Sequence, residues 1–209
     1  MGRGTSRAGA GGGQQSSSTN TYLQGYLDNN PWLSNMDEES RNNMIEHFNN
    51  MPPEQQYYYS LTQAEQNAIV DMQYNTKRLN EYMSGRDTDF SDAQKEKFNA
   101  QIDNVKSAIS KYDSKEPVNL YRGVSESEFN SIVNGGKTES FKSASTDAKR
   151  ADSFAQNQGG YTVIYRASRG ARIADVNGAP GANEKEFLID SGVKYKKVTK
   201  KGKTVIIDI

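Results

Sequence analysis

Two carboxylates one residue apart, Glu184 and Glu186 in "NEKEFLI", stand directly before an apolar run with the character of a strand. In an extended chain, side chains at i and i+2 leave on the same face and the one between them points away. On that reading the two glutamates share a face and Lys185 cannot bridge them. Held about 7 Å apart, they repel by roughly 2 kcal/mol at an effective dielectric near 20. A solvated strand face tolerates such a pair, whereas a reaction that builds positive charge can use it. Glycoside cleavage passes through an oxocarbenium-like state that anions stabilise, and paired carboxylates are the usual device.

The nicotinamide–ribose bond of NAD is N-glycosidic and should follow the same logic, but a site for NAD has further needs. Its pyrophosphate calls for a cation, best an arginine fork on a rigid strand. Arg122 in "LYRG" has that setting, and Gly123 beside it allows close backbone approach. A small hydroxyl must hold carboxylate and ribose in register, a role open to Ser145 or Thr146 in "SFKSAST". An aromatic ring should hold the nicotinamide, and Phe154 follows in the next segment. Each residue has a plainer reading: a surface arginine, ordinary strand-to-turn chemistry, a core phenylalanine. Their order on successive strands makes the set informative.

The elements that must position these side chains fall into two halves. Residues 21–115 read as a helical lobe. "DEESRNNMIEHFNNM" carries Met44, Phe48 and Met51 on one stripe, and the only histidine, His47, reads as a plain surface residue. "SLTQAEQNAIVDMQYNTKRLNEYMSG" opens with the capping pair Thr62 and Glu65 and carries Leu61, Ile69, Met72, Leu79 and Met83. "DFSDAQKEKFNAQIDNVKSAISKY" opens with Ser91 and Gln94 and aligns Phe98, Ile102, Val105, Ile109 and Tyr112. From residue 116 to 209 the pattern changes to short strands, with two short helices, the first capped by Ser125 with Glu128. Helices first and strands afterwards predict an α+β fold with two antiparallel sheets packed as a sandwich, the helical lobe set against them. Residues 1–20, rich in glycine, serine and glutamine, read as a disordered tail.

The 209 residues balance 26 basic against 26 acidic side chains, so no global field steers the chain to nucleic acid or to an anionic membrane. Six lysines between Lys194 and Lys203 alternate with Val193, Tyr195 and Val198, the pattern of a solvated hairpin face. With no cysteine, thiolate metal sites are excluded. No apolar stretch is long enough to span a bilayer, and the N-terminus lacks the apolar core of a secretory signal.

The chain resembles the toxin-type mono-ADP-ribosyltransferases with the R–S–E order of motifs. "LYRG" is similar to their aromatic-Arg motif, "FKSASTD" to their Ser-Thr-Ser motif with Asp147 at the usual second serine, and "EKEFLI" to their E-x-E motif. "GVKYKKV" and "KTVIIDI" match the closing strands, and the helix from Leu61 resembles the one that covers the NAD cleft, with Asn80 at its asparagine. The likeness runs from about Ser60 to the end; Met72 and Thr76 stand where relatives carry tyrosines, and "NGAPGAN" lacks their target-binding aromatic residue. The resemblance implies an ADP-ribosyltransferase fold and NAD as co-substrate without a metal. It implies that Arg122 binds NAD phosphate, with Gly123, Ser145, Thr146, Phe154 and Asn80 also against the dinucleotide. Ser145 would position Glu186, Glu186 would stabilise the oxocarbenium ion, and Glu184 would deprotonate an acceptor arginine on a target protein. A monomer is expected, and without a signal or membrane segment it would act in the cytoplasm of a bacterial host or of a target cell after delivery. NAD hydrolysis and a non-catalytic interaction module are the alternatives.

Overall fold

The computed structural model describes residues 21–74, 76–86, 89–180, 182 and 185–209. Its first half is helical: α1 Leu23–Asn29, a 3-10 turn Pro31–Asn35, α2 Glu38–Asn49, α3 Pro53–Tyr59, α4 Gln63–Tyr74, α5 Thr76–Met83 and α6 Asp92–Lys111. The caps read from the sequence set two of the starts. Thr62 and Glu65 exchange side-chain-to-backbone bonds of 3.3 and 2.8 Å before α4, and Ser91 and Gln94 do the same at 3.3 and 2.9 Å before α6. Each pair satisfies two amides left over at the helix start. The segment read as one helix gives α4 and α5, with residue 75 between them outside the described residues. Its apolar stripe, Leu61, Ile69, Met72 and Leu79, meets Val105 and Ile109 of α6 in one core. A smaller cluster forms where Tyr26 stacks on Phe48 at 4.2 Å. His47 is exposed in the last turn of α2.

The second half runs β1 Val118–Val124, α7 Glu126–Gly135, β2 Lys142–Ser145, α8 Ala148–Gln156, β3 Tyr161–Ala167, β4 Ile173–Asp175, β5 Glu186–Ile189, β6 Lys197–Lys201 and β7 Thr204–Asp208. The α+β class stands; the expected pair of separate antiparallel sheets is corrected in two respects. The strands form one hydrogen-bonded order, β4-β5-β2-β1-β3-β7-β6, and β3 pairs with β7 in parallel. The parallel pair is possible because the chain makes a long excursion through β4 and β5 before the β6–β7 hairpin brings it back beside β3.

The joint between the two halves of this sheet is narrow. β1 and β2 pair in register only at Tyr121 opposite Ser145, whereas β1 and β3 match from Val118–Ala167 to Val124–Tyr161. A sheet joined so briefly can fold across its joint. Ala144, Phe187 and Ile189 from one half share a core with Leu120, Val163 and Val205 from the other. Leu188 and Ala174 point the opposite way, into the helical core. Strand β5 is therefore covered on both faces, which is why "FLI" is an unbroken apolar run rather than an alternating one. Among the described residues no helix is long and apolar enough to cross a membrane.

Candidate active site

Arg122 lies within β1, half-buried, and its fork is already aimed. Nη1 donates to the Ser143 carbonyl at 2.8 Å, while Nε and Nη2 face the two carboxylate oxygens of Glu128 at 3.3 and 3.4 Å. Lys142 Nζ reaches the same carboxylate at 3.1 Å. Burial alone would push the Glu128 carboxyl up, but Arg122 and Lys142 outweigh it and hold the group below the usual carboxylate range. Glu128 thus stays ionised between two cations. Its amide donates to the capping Ser125 Oγ at 3.2 Å, as the sequence implied; its side chain has gone to Arg122 and Lys142.

The β2–β5 register sets Ser145 directly opposite Glu186. Ser145 Oγ accepts from the Asp147 amide at 3.0 Å, and Asp147 caps α8 by accepting from the Lys149 amide at 3.0 Å. Asp147 therefore does at the helix start what a serine would do there. Helix α8 then crosses β1 so closely that a Cβ on Gly123 would collide with backbone atoms of Ala151, Phe154 and Ala155. The close approach expected at Gly123 is made by this helix. Phe154 stays 51% exposed instead of joining the core.

These side chains border a cavity of about 260 Å³, lined by Arg122, Gly123, Ser145, Phe154 and Glu186 among others. A cavity of about 500 Å³ is lined by Arg122, Asn80, Lys77, Glu128 and Lys142 among others. Arg122 belongs to the walls of both, so the two parts of the cleft adjoin at this residue, its waist. The Asn80 Oδ1 atom is buried and has no hydrogen-bond partner among the described residues. Thr146 is not brought to this cleft. It is exposed and lines a third cavity with Glu54, Asp175, Asn177, Lys185 and Phe187. Met72 is 1% exposed and packs in the helical core, while Thr76 opens α5.

Glu184 lies outside the described residues. Lys185 has φ of +50°, so the chain is left-handed there and β5 begins only at Glu186. The extended geometry from which a shared face for the two glutamates was inferred does not hold through Lys185. A non-glycine residue in that region costs roughly 1–2 kcal/mol and persists where neighbours hold it. Here the Thr146 amide donates to the Lys185 carbonyl at 3.0 Å. Among the charged residues at the cleft that escaped the sequence reading are Arg150, Glu128 and Lys142. Arg150 precedes Phe154 by one helical turn, so the i,i+4 rule was a usable signal. Nothing local marks Lys142 as buried, since alternation puts it on the same inner face as Ala144 but lysine rarely goes there.

The sequence profile of the ADP-ribosyltransferase exoenzymes matches residues 45–207. The chain belongs to this family. The family match begins inside α2, earlier than the motif resemblance that starts near Ser60, so α3 falls within it. A curated relative, the NAD(+)–arginine ADP-ribosyltransferase EFV of Enterococcus faecalis, is 34% identical over 99 residues, which are 45% of this chain and 20% of that protein. The chain thus spans about a fifth of that relative's length. Among solved structures, the ADP-ribosylating toxin BECa of C. perfringens superposes with a TM-score of 0.55 at 22% identity, covering 90% of this chain and 47% of that one. The ADP-ribosyltransferase Vis gives a TM-score of 0.54 at 19% identity, covering 83% of this exoenzyme-family chain and 85% of its own. The fold is that of the ADP-ribosyltransferase toxins.

Proposed function

We propose that this chain is a mono-ADP-ribosyltransferase that cleaves NAD at the nicotinamide–ribose bond and transfers ADP-ribose to an arginine side chain of a target protein. The observation that carries the reading is the position of Arg122 in the wall common to two cavities, one holding Asn80 and the other Ser145, Phe154 and Glu186. A dinucleotide needs such a waist: its pyrophosphate lies between two nucleoside ends. Arg122 would take the phosphates, Phe154 would cover the nicotinamide, and Ser145 would hold Glu186. The curated relative's name gives arginine as acceptor, BECa was solved with NADH and Vis with agmatine, a guanidinium compound.

In the reaction the bond between ribose C1′ and the nicotinamide nitrogen breaks, and nicotinamide leaves with the bonding pair. Glu186 stabilises the cation that develops on the ribose. A guanidinium nitrogen of the acceptor then bonds to C1′, and Glu184 takes the proton it sheds. Incubation with labelled NAD and agmatine tests the proposal: nicotinamide release should accompany an ADP-ribosyl-agmatine adduct. NAD consumption without any adduct would instead make the chain a glycohydrolase, and no consumption at all would remove the enzymatic reading.

A further inference from the structure

Glu186 is the first residue of β5, and on its β4 side the strand it would pair with has already ended at Asp175. The ladder is continued by a side chain. Asn177 Oδ1 accepts from the Glu186 amide at 2.8 Å, and Asn177 Nδ2 donates to the Glu186 carbonyl at 3.3 Å. The Asn177 carboxamide thus presents one acceptor and one donor to the two backbone groups of Glu186, as a strand residue would. The Val176 amide also donates to the Glu186 carbonyl, at 3.1 Å.

Asn177 is itself fixed from behind. Asp175 Oδ1 accepts both its amide at 2.9 Å and its Nδ2 at 2.6 Å. One residue further on, Gly178 lies so close to α3 that a Cβ there would collide with the backbone of Glu54 and Gln55. The turn between β4 and β5 is therefore seated on the helical lobe on one side and grips Glu186 on the other. It does so where the chain arrives in the left-handed conformation of Lys185, the place at which a strand end is least held by its own ladder.

We infer that Asn177 is a positioning residue for the transferase reaction, fixing the main chain of Glu186 so that its carboxylate meets the developing ribose cation, with Asp175 holding Asn177. The inference rests on the proposed function, because Glu186 matters only if the ribose cation forms. The effect should fall on turnover, since Asn177 reaches no part of the Arg122 waist. A displacement near 1 Å at a reacting group costs about 10²-fold.

The test compares the wild-type chain with Asn177→Ala, Asn177→Asp and the exchange pair Asp175→Asn with Asn177→Asp, using NAD as the probe. For Asn177→Ala, nicotinamide release should fall about 10- to 100-fold while NAD affinity by calorimetry changes far less. Asn177→Asp sets two carboxylates against each other and should be at least as impaired. The exchange pair restores a donor between positions 175 and 177 and should recover part of the rate, which a general loss of stability would not. Backbone hydrogen exchange at Glu186 should quicken in Asn177→Ala. An active wild type whose Asn177→Ala variant is equally active, or unchanged exchange at Glu186, overturns the inference alone. A wild type that releases no nicotinamide overturns the functional reading and this inference with it.

Discussion

The two ends of the cleft hold their key side chains in opposite ways. At the waist, Arg122 is held through its guanidinium, by Glu128 and the Ser143 carbonyl. At the far end, Glu186 is held through its backbone, by Asn177 and the β2 register. The electrostatics differ as well. Glu128 is kept ionised between two cations, while burial pushes the Asp175 carboxyl up, beyond what its hydrogen bonds from Asn177 can offset. A side chain held by its charged group is tuned for affinity, because the same group meets charge already present in the bound ligand. One held by its backbone has its carboxylate placed, by the main chain, for charge that appears only during reaction.

The largest expected effect breaks the far end. Glu186→Gln should lower nicotinamide release by about 10²–10³, or 3–4 kcal/mol, with a much smaller change in NAD affinity by calorimetry. Next comes the waist. Arg122→Lys keeps the charge but cannot fork between Glu128 and a phosphate, so the Kd for NAD should rise by about tenfold in the same titration. Comparable losses of affinity in both variants would erase the distinction between the ends.

Gly123→Ala tests the helix that joins them. With α8 backbone occupying the space of a Cβ, the strand and helix must separate, at a cost of about 1–3 kcal/mol read from the urea midpoint. Phe154 should shift with the helix. An unchanged midpoint would show that α8 is free to move away.

The smallest effect is the response to acid. Asp175 has a folded value above its ordinary 3.8, so it takes up a proton in the folded chain before it would in the unfolded one, and stability attributable to it rises as pH falls through that value. Glu128, below its ordinary 4.5, contributes stability above that pH and loses it as pH falls through the depressed value. The groups facing Asp175 are Glu54 and Tyr57 from α3, Tyr22 at the start of α1, Tyr112 after α6, and Asn177 and Lys185 from the turn. On acidification, Asp175 takes up its proton above its ordinary value, and turnover should fall there as its carboxylate ceases to hold Asn177. Asp175→Asn should move the acid limb of turnover to lower pH; an unmoved limb would assign it to another group.

The same contrast explains what could be read in advance. Helix stripes and caps, such as Ser91 with Gln94, are local signals and lay open in the sequence. So did the alternation that sets Arg122, Ser145 and Glu186 on strands, because side-chain period and order need no distant partner. The single continuous strand order was not legible, since the Tyr121–Ser145 joint depends on pairings far apart in the chain. Glu128 could be seen as a cap partner but not as the counter-ion of Arg122. Lys185 hid the most: an E-x-E run before apolar residues reads as extended, and only the hydrogen bonds of Thr146 and Asn177 on either side show why it is not.

The most direct test of the division between waist and far end is single-turnover nicotinamide release at saturating NAD with agmatine as acceptor. Saturation removes a defect of affinity and leaves a defect of chemistry. Arg122→Lys is expected to recover to within about tenfold of the wild-type rate, while Glu186→Gln stays about 10²–10³ below it. Equal deficits at saturation, or a Glu186→Gln variant that recovers when NAD is raised, would contradict the assignment of ground-state binding to Arg122 and charge stabilisation to Glu186.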